Sequence, residues 1–172
     1  MRTNYLLVLF AIGLAMTRLI PHPPNFTPII AFAIIAPVLF NNKMFGSVIV
    51  VLSMIISDIV IGFHQYQIVV YVSLLFISLL VPMNNNYKTL AFSAFIASIW
   101  FFLVTNLAVW IAWDYYPKTF EGLITCYTLA LPFFKNTLIS TFIFTFLFSF
   151  SIKYILFLNK RVNLFFSKYL NI

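Results

Sequence analysis

The side chains best suited to acid–base chemistry or metal binding are few in this chain: Asp58, Asp114, Glu121, His22, His64 and Cys126. Asp58 stands out because it lies inside an apolar run, in the stretch "SDIVIGFH". A carboxylate within a membrane span costs a few kcal/mol and marks a functional site by default. Arg18 lies at a comparable depth in the first apolar run. The two can form an ion pair that clamps two helices, or can serve ligand binding or proton coupling. His22 and His64 titrate near neutral pH and are able to ligate a metal. They serve equally as interfacial hydrogen-bonding groups. Two histidines and an acid without local ligand spacing do not specify a metal centre, and none is assigned. No H-E-x-x-H or comparable motif is present, so no catalytic residue is assigned and the chain is not expected to be an enzyme. Cys126 is the single cysteine, which excludes an internal disulfide. It suits a small apolar filler, with thiolate ligation of a cobalt-type cofactor as the lesser alternative; no cofactor is expected.

Other polar groups gather near these. The stretch "RLIPHPPNFTPI" joins two apolar runs and holds Arg18, His22, Asn25 and four prolines. Farther along come Asn106, Trp110, Trp113 and Asp114, then Tyr127, Lys135 and Asn136. Asn106 sits deep in its run and needs a partner where water is absent. Trp110 and Trp113 fit an aromatic belt as well as a ligand wall. The candidate ligand-binding set is Arg18, His22, Asn25, Asp58, His64, Asn106, Trp110, Asp114, Tyr127 and Asn136.

The elements that must position this set are membrane spans. The 172 residues are 63% hydrophobic, 20% aromatic and only 8% charged, with a mean hydropathy of +1.06. A soluble domain carries about a quarter charged residues, so the solvent for most of this surface is lipid. The fold class is an all-α integral membrane protein forming a single domain over 1–172. Six spans are predicted, at about 4–20, 27–40, 44–63, 66–81, 89–113 and 133–158. Thr27 is a candidate cap and Pro28 suits a first helical turn, while Pro37 predicts a kinked or incomplete second span. Over 114–132, Phe120, Leu123, Ile124, Tyr127 and Leu131 recur at helical spacing, with Glu121, Thr125 and Thr128 opposite. That pattern predicts a short amphipathic helix at the interface, between helices five and six. The first run resembles a signal peptide but is expected to be retained.

The net charge of +7 does not point to nucleic acid, because the cations are scattered singly at the ends of apolar runs. They fit topology and lipid headgroups instead. With the N-terminus inside, Arg2, Lys43, Lys88, Lys153, Lys160, Arg161 and Lys168 are cytoplasmic, and Arg18, Lys118 and Lys135 are outside. Seven against three predicts both termini in the cytoplasm, in a bacterial inner membrane. All three acids and both histidines then share the outer side, which predicts an outward-facing cavity roofed by the 114–132 segment.

In "AIGLA", Ala11 and Ala15 are small residues four apart that let another helix approach closely. With six spans, both ends inside and polar groups outside, the chain resembles an S component, the substrate-binding membrane subunit of energy-coupling factor vitamin transporters. The resemblance implies that Ala11 and Ala15 contact a coupling subunit of an ATPase complex. It also implies that a vitamin-like nutrient sits near the outer face. The stretches "RLIPHPPNFTPI", "SDIVIGFH" and "PFFKNTL" also resemble a family of uncharacterised small bacterial membrane proteins. The chain itself has no nucleotide-binding motif such as G-x-x-x-x-G-K-[ST], so energy for uptake falls to a partner. The expected partners are the bilayer, a small-molecule ligand and that ATPase complex. A structural or assembly protein of an envelope complex, a proton-coupled carrier using Asp58 and a membrane enzyme remain alternatives.

Overall fold

The computed structural model describes residues 2–170, with side chains described over 11–154 and at 157. Arg2, Lys160, Arg161 and Lys168 of the charge bias lie outside the described side chains. The chain is all-helical: α1 Arg2–Leu19, α2 Ile29–Leu39, α3 Lys43–Ile61, α4 Gln67–Leu80, α5 Tyr87–Ala112 and α6 Phe120–Leu170.

The sequence explains which helix sits in the middle. A helix that is apolar all round has no face for water and must be surrounded. In α2 every residue from Ile29 to Pro37 is buried. It packs against α3, α4, α5 and α6, while α1 lies against α3. Polar ties hold this core in register. Ser78 Oγ of α4 donates to the Ala33 carbonyl of α2 at 2.9 Å, and Lys43 Nζ donates to the Leu79 carbonyl at 2.8 Å. Ser149 of α6 donates to Asn85 Oδ1 at 2.5 Å. Asn42 and Asn86 cap α3 and α5 through Phe45 N–H and Lys88 N–H.

Among the described residues, three helices are long and apolar enough to cross a membrane: Lys43–Ile61, Tyr87–Ala112 and Phe120–Tyr154. The second and fourth predicted spans are shorter. At 1.5 Å per residue, the 11 residues of α2 reach about 16 Å and the 14 of α4 about 21 Å, against a hydrocarbon core of about 30 Å. Thr27 does not cap α2. Pro28 occupies the N-cap, and no side chain bonds the first amides.

The largest departure from expectation is α6. There is no separate interfacial helix over 114–132; one helix runs unbroken from Phe120 with Pro132 inside it. Pro132 is exposed, so its ring does not disturb packing. In lipid, breaking the helix there would free more backbone groups than the single amide the proline removes. Over 120–131 the polar row of Glu121, Thr125 and Thr128 is exposed and Leu123 and Tyr127 are half-buried, but the fully buried row is a third one. Phe120, Ile124 and Leu131 are exposed, and the buried row is Gly122, Cys126 and Ala130. Small residues face the neighbouring helix and large apolar ones face outward, as close packing within lipid favours.

Ala11 and Ala15 are each 2% exposed. Arg18, near the end of α1, meets Ser57 and Asp58, near the end of α3, and α1 packs against α3 with Ala11 in the buried core. The A-x-x-x-A pair is buried within the chain, and among the described side chains of α1 the exposed ones are Ile12, Gly13, Met16 and Leu19.

Candidate functional site

The shortness of α2 creates the site. The 26 residues of α5 reach about 39 Å, more than twice the length of α2. The space beyond the α2 N-terminus is left as a cavity of about 440 Å³. Ile29, Ile30 and Asn25 line it where α2 begins. Phe101, Phe102, Thr105 and Asn106 of α5 form one wall, with Cys126, Ala130, Phe133 and Thr137 of α6 beside them. His64 and Tyr66 of the α3–α4 connection, with Arg18 and Met54, complete the ring. Asn25 adopts φ 61°, a left-handed conformation that asparagine tolerates, which turns the chain sharply into α2.

Arg18 is the centre of the polar chemistry. Its Nη1 donates to Asp58 Oδ1 at 2.5 Å, to the Met54 carbonyl at 3.4 Å and to Ser57 Oγ. Asp58 is 1% exposed and lies behind the cavity wall, not on it. Its second oxygen, Oδ2, accepts from the Tyr71 hydroxyl at 2.6 Å, and Tyr71 in turn accepts from Gln67 Nε2 at 2.5 Å. Gln67 Oε1 accepts from the His64 amide at 3.3 Å, closing a relay from α1 through α3 to the start of α4. A buried charge that makes this many bonds is held in one orientation. Tyr71 went unrecognised in the sequence. The available signal was its position four residues after Gln67, on one face of an amphipathic helix.

Of the ten candidate residues, Arg18, Asn25, His64 and Asn106 line the cavity, and Asp58 holds Arg18 from behind. The other five lie off its wall. His22 is exposed, with Nδ1 2.9 Å from the Pro23 carbonyl. Trp110 donates to the Pro117 carbonyl at 3.0 Å and braces the α5–α6 connection. Asp114 is fully exposed, 3.9 Å from Lys118. Tyr127 ties α6 to α5 through the Leu103 carbonyl at 2.6 Å. Asn136 donates to the Pro24 carbonyl at 3.0 Å and so fixes the first connection against α6. Tyr66, Trp113 and Tyr116 lie on the wall although they were not in the candidate set. Among the described residues, no three His, Cys, Asp or Glu side chains converge on a point that could hold a metal.

Hydrogen bonds tie the α5–α6 connection to both helix ends. Lys118 Nζ donates to the carbonyls of Trp113 at 2.6 Å, Ile111 at 3.2 Å and Trp110, capping the carboxyl end of α5. The Thr119 hydroxyl accepts from Gly122 N–H at 3.2 Å and caps α6. A Cβ on Gly122 would lie 2.0 Å from the Pro117 carbonyl oxygen. We expect Gly122→Ala to cost about 2–3 kcal/mol through this overlap and to expose the connection to protease. Wild-type cleavage kinetics in that variant would remove the argument.

The His64 ring lies tilted against Tyr66, centroids 4.2 Å apart, and its Nδ1 is buried without a partner among the described residues. Burial lowers its pKa from 6.5; the Arg18 charge lowers it further, and the Asp58 charge opposes both. A histidine depressed in the fold stays neutral while the unfolded chain takes up a proton. Its contribution is therefore full above 6.5 and is lost as pH falls below that value toward the folded pKa. Thermal stability should decline on acidification below 6.5 in the wild type, and the decline should be shallower in His64→Gln. Parallel pH profiles for the two proteins would contradict this assignment.

The fold and cavity define a class: an all-helical protein of membrane type with one charged group on a largely apolar chamber. Residues 1–163 match a family of unknown function, DUF6580, and the chain belongs to that family. No curated protein and no solved structure matches it.

Proposed function

We propose that the chain is a membrane protein that captures a small, vitamin-like nutrient for uptake. The observation that carries the reading is the cavity of about 440 Å³, within the range of small-molecule sites, about 300–1,000 Å³. Its lining mixes aromatic rings with a few directed polar groups, as such sites do. Both oxygens of Asp58 are occupied, which favours a positioning role for it over proton carriage.

The accompanying topology is six membrane segments in a bacterial inner membrane, with both termini cytoplasmic and the cavity outside. The cation bias supports it. In this arrangement α2 crosses embedded among longer neighbours, while α4 lies beside them with Ile68, Val72, Phe76 and Leu80 facing outward. An impermeant thiol reagent added to intact cells should label Asp114→Cys and spare Asn84→Cys; the reverse pattern would invert the topology. Cys126 is buried and contributes little background. Inward release is assigned to a partner ATPase complex. Such a complex would meet α1 on Ile12, Gly13 and Met16, because Ala11 and Ala15 face inward.

Native mass spectrometry of the gently purified protein tests the reading. A retained small molecule, displaced when Thr137→Trp fills the cavity, is the expected result. An empty cavity in a protein that retains another polypeptide would replace the proposal with an envelope-assembly role.

A further inference from the structure

The charge and shape of the cavity narrow the ligand class, resting on the reading of the cavity as the binding site. Arg18 is the one charged side chain on the described wall, and no carboxylate joins it there. A cationic ligand would meet a guanidinium with nothing to pair against. The nearby acid, Asp58, is sealed behind the wall with both oxygens engaged.

Arg18 is also only partly used. All three of its hydrogen bonds among the described residues leave from Nη1. The Nε–Nη2 edge makes none with the described residues, and the side chain is 16% exposed. That edge presents two parallel N–H donors, the geometry that grips a carboxylate bidentately. Anchoring one nitrogen on Asp58, Ser57 and Met54 fixes the plane of the fork, so a ligand pays little to order it.

The rest of the wall sets the shape. Tyr66 and Trp113 meet edge to face at 5.4 Å, and Phe101, Phe102 and Phe133 stand on α5 and α6. Rings on several sides suit a flat apolar body. One neutral polar position remains for a hydrogen bond at its rim: among the described residues Asn106 uses only its amide nitrogen, on the Phe102 carbonyl at 2.8 Å.

We infer that the cavity takes a flat aromatic acid: a ring system bearing one carboxylate, seated on the Nε–Nη2 edge of Arg18 between the aromatic walls. The test uses 2-naphthoate, 2-naphthamide and 2-(aminomethyl)naphthalene, titrated calorimetrically into the full chain in nanodiscs, with empty nanodiscs subtracted. The acid should bind about tenfold or more tighter than the amide, as a charge-assisted bidentate contact requires, and the amine should not bind. Arg18→Gln should bring the acid down to the level of the amide. The wild-type ranking stands on its own if that variant fails to fold. Equal binding of acid and amide, or preference for the amine, overturns the inference and leaves the binding-site reading intact. So does failure of all three in a protein that retains some other small molecule. If none binds and nothing is retained, both fall together.

Discussion

Arg18→Leu is expected to destabilise the protein by about 3–5 kcal/mol, the largest effect of any single substitution considered for this chain. It leaves the Asp58 carboxylate 1% exposed with the Tyr71 hydroxyl and no cation. Removing one partner of a buried pair is costly because the survivor cannot reach water. Asp58→Leu should cost less. Arg18 borders the cavity, has a long flexible stem and can turn its charge toward water there. The two single substitutions therefore differ although they delete the same ion pair.

The double variant Arg18→Met, Asp58→Leu should recover most of the loss. Desolvation of two charges offsets much of their attraction, so replacing both by apolar groups is often near neutral. We expect it within about 1–2 kcal/mol of wild type, the residue being the acceptor that the Tyr71 hydroxyl loses. Equilibrium unfolding in mixed micelles across the four proteins reads the coupling directly. Additive single losses would mean that the pair is not coupled and that Arg18 is held by Ser57 and Met54 alone. Binding separates the two roles of Arg18. The double variant should be stable yet unable to prefer 2-naphthoate over 2-naphthamide, since stability needs a matched pair and recognition needs the guanidinium itself.

Much of this pair was legible beforehand. An acid and a base at matched depth in two apolar runs point to each other, because neither is tolerable alone in lipid. Asn25, His64 and Asn106 were placed at the same end by span order alone. Two things were not legible, and both come from the solvent. In water an apolar helical stripe faces inward; in lipid it can face outward, which is why the large residues of 120–131 do not mark the buried row, and of Gly122, Cys126 and Ala130 only Cys126 was read as a buried filler. Pro132 looked like a helix end because it would be one in water. The cavity itself has no local signature. It follows from a difference in length between α2 and α5, visible only once they are packed side by side. Trp110, Asp114, Tyr127 and Asn136 were drawn in by side-chain type, but their partners are backbone carbonyls of the connections or of α5, or a nearby lysine.

Gly46→Ala is the second substitution expected to have a large effect, and it acts on the cavity from the far end of α2. A Cβ at Gly46 of α3 would stand 2.6 Å from Pro37 N and 2.7 Å from the Ala36 carbonyl carbon. Both are backbone atoms of α2, so no side chain can swing aside. Alanine gains about 1 kcal/mol of helix propensity over glycine, and overpacking of this kind costs up to about 3 kcal/mol, leaving a net loss of about 2 kcal/mol. Gly13 is the matched control: it lies within α1, is exposed and has nothing within 4 Å of an added Cβ. Gly13→Ala should be neutral or slightly stabilising, the propensity gain without the clash. If both variants unfold at the wild-type midpoint, α2 and α3 are not in contact at Gly46. If Gly46→Ala is destabilised as expected, the strain reaches the site, because α2 is packed on all sides and can relieve it only by sliding or tilting. Either motion moves Ile29 and Ile30, which line the cavity, and retention of the small molecule should fall in that variant while Gly13→Ala retains it fully.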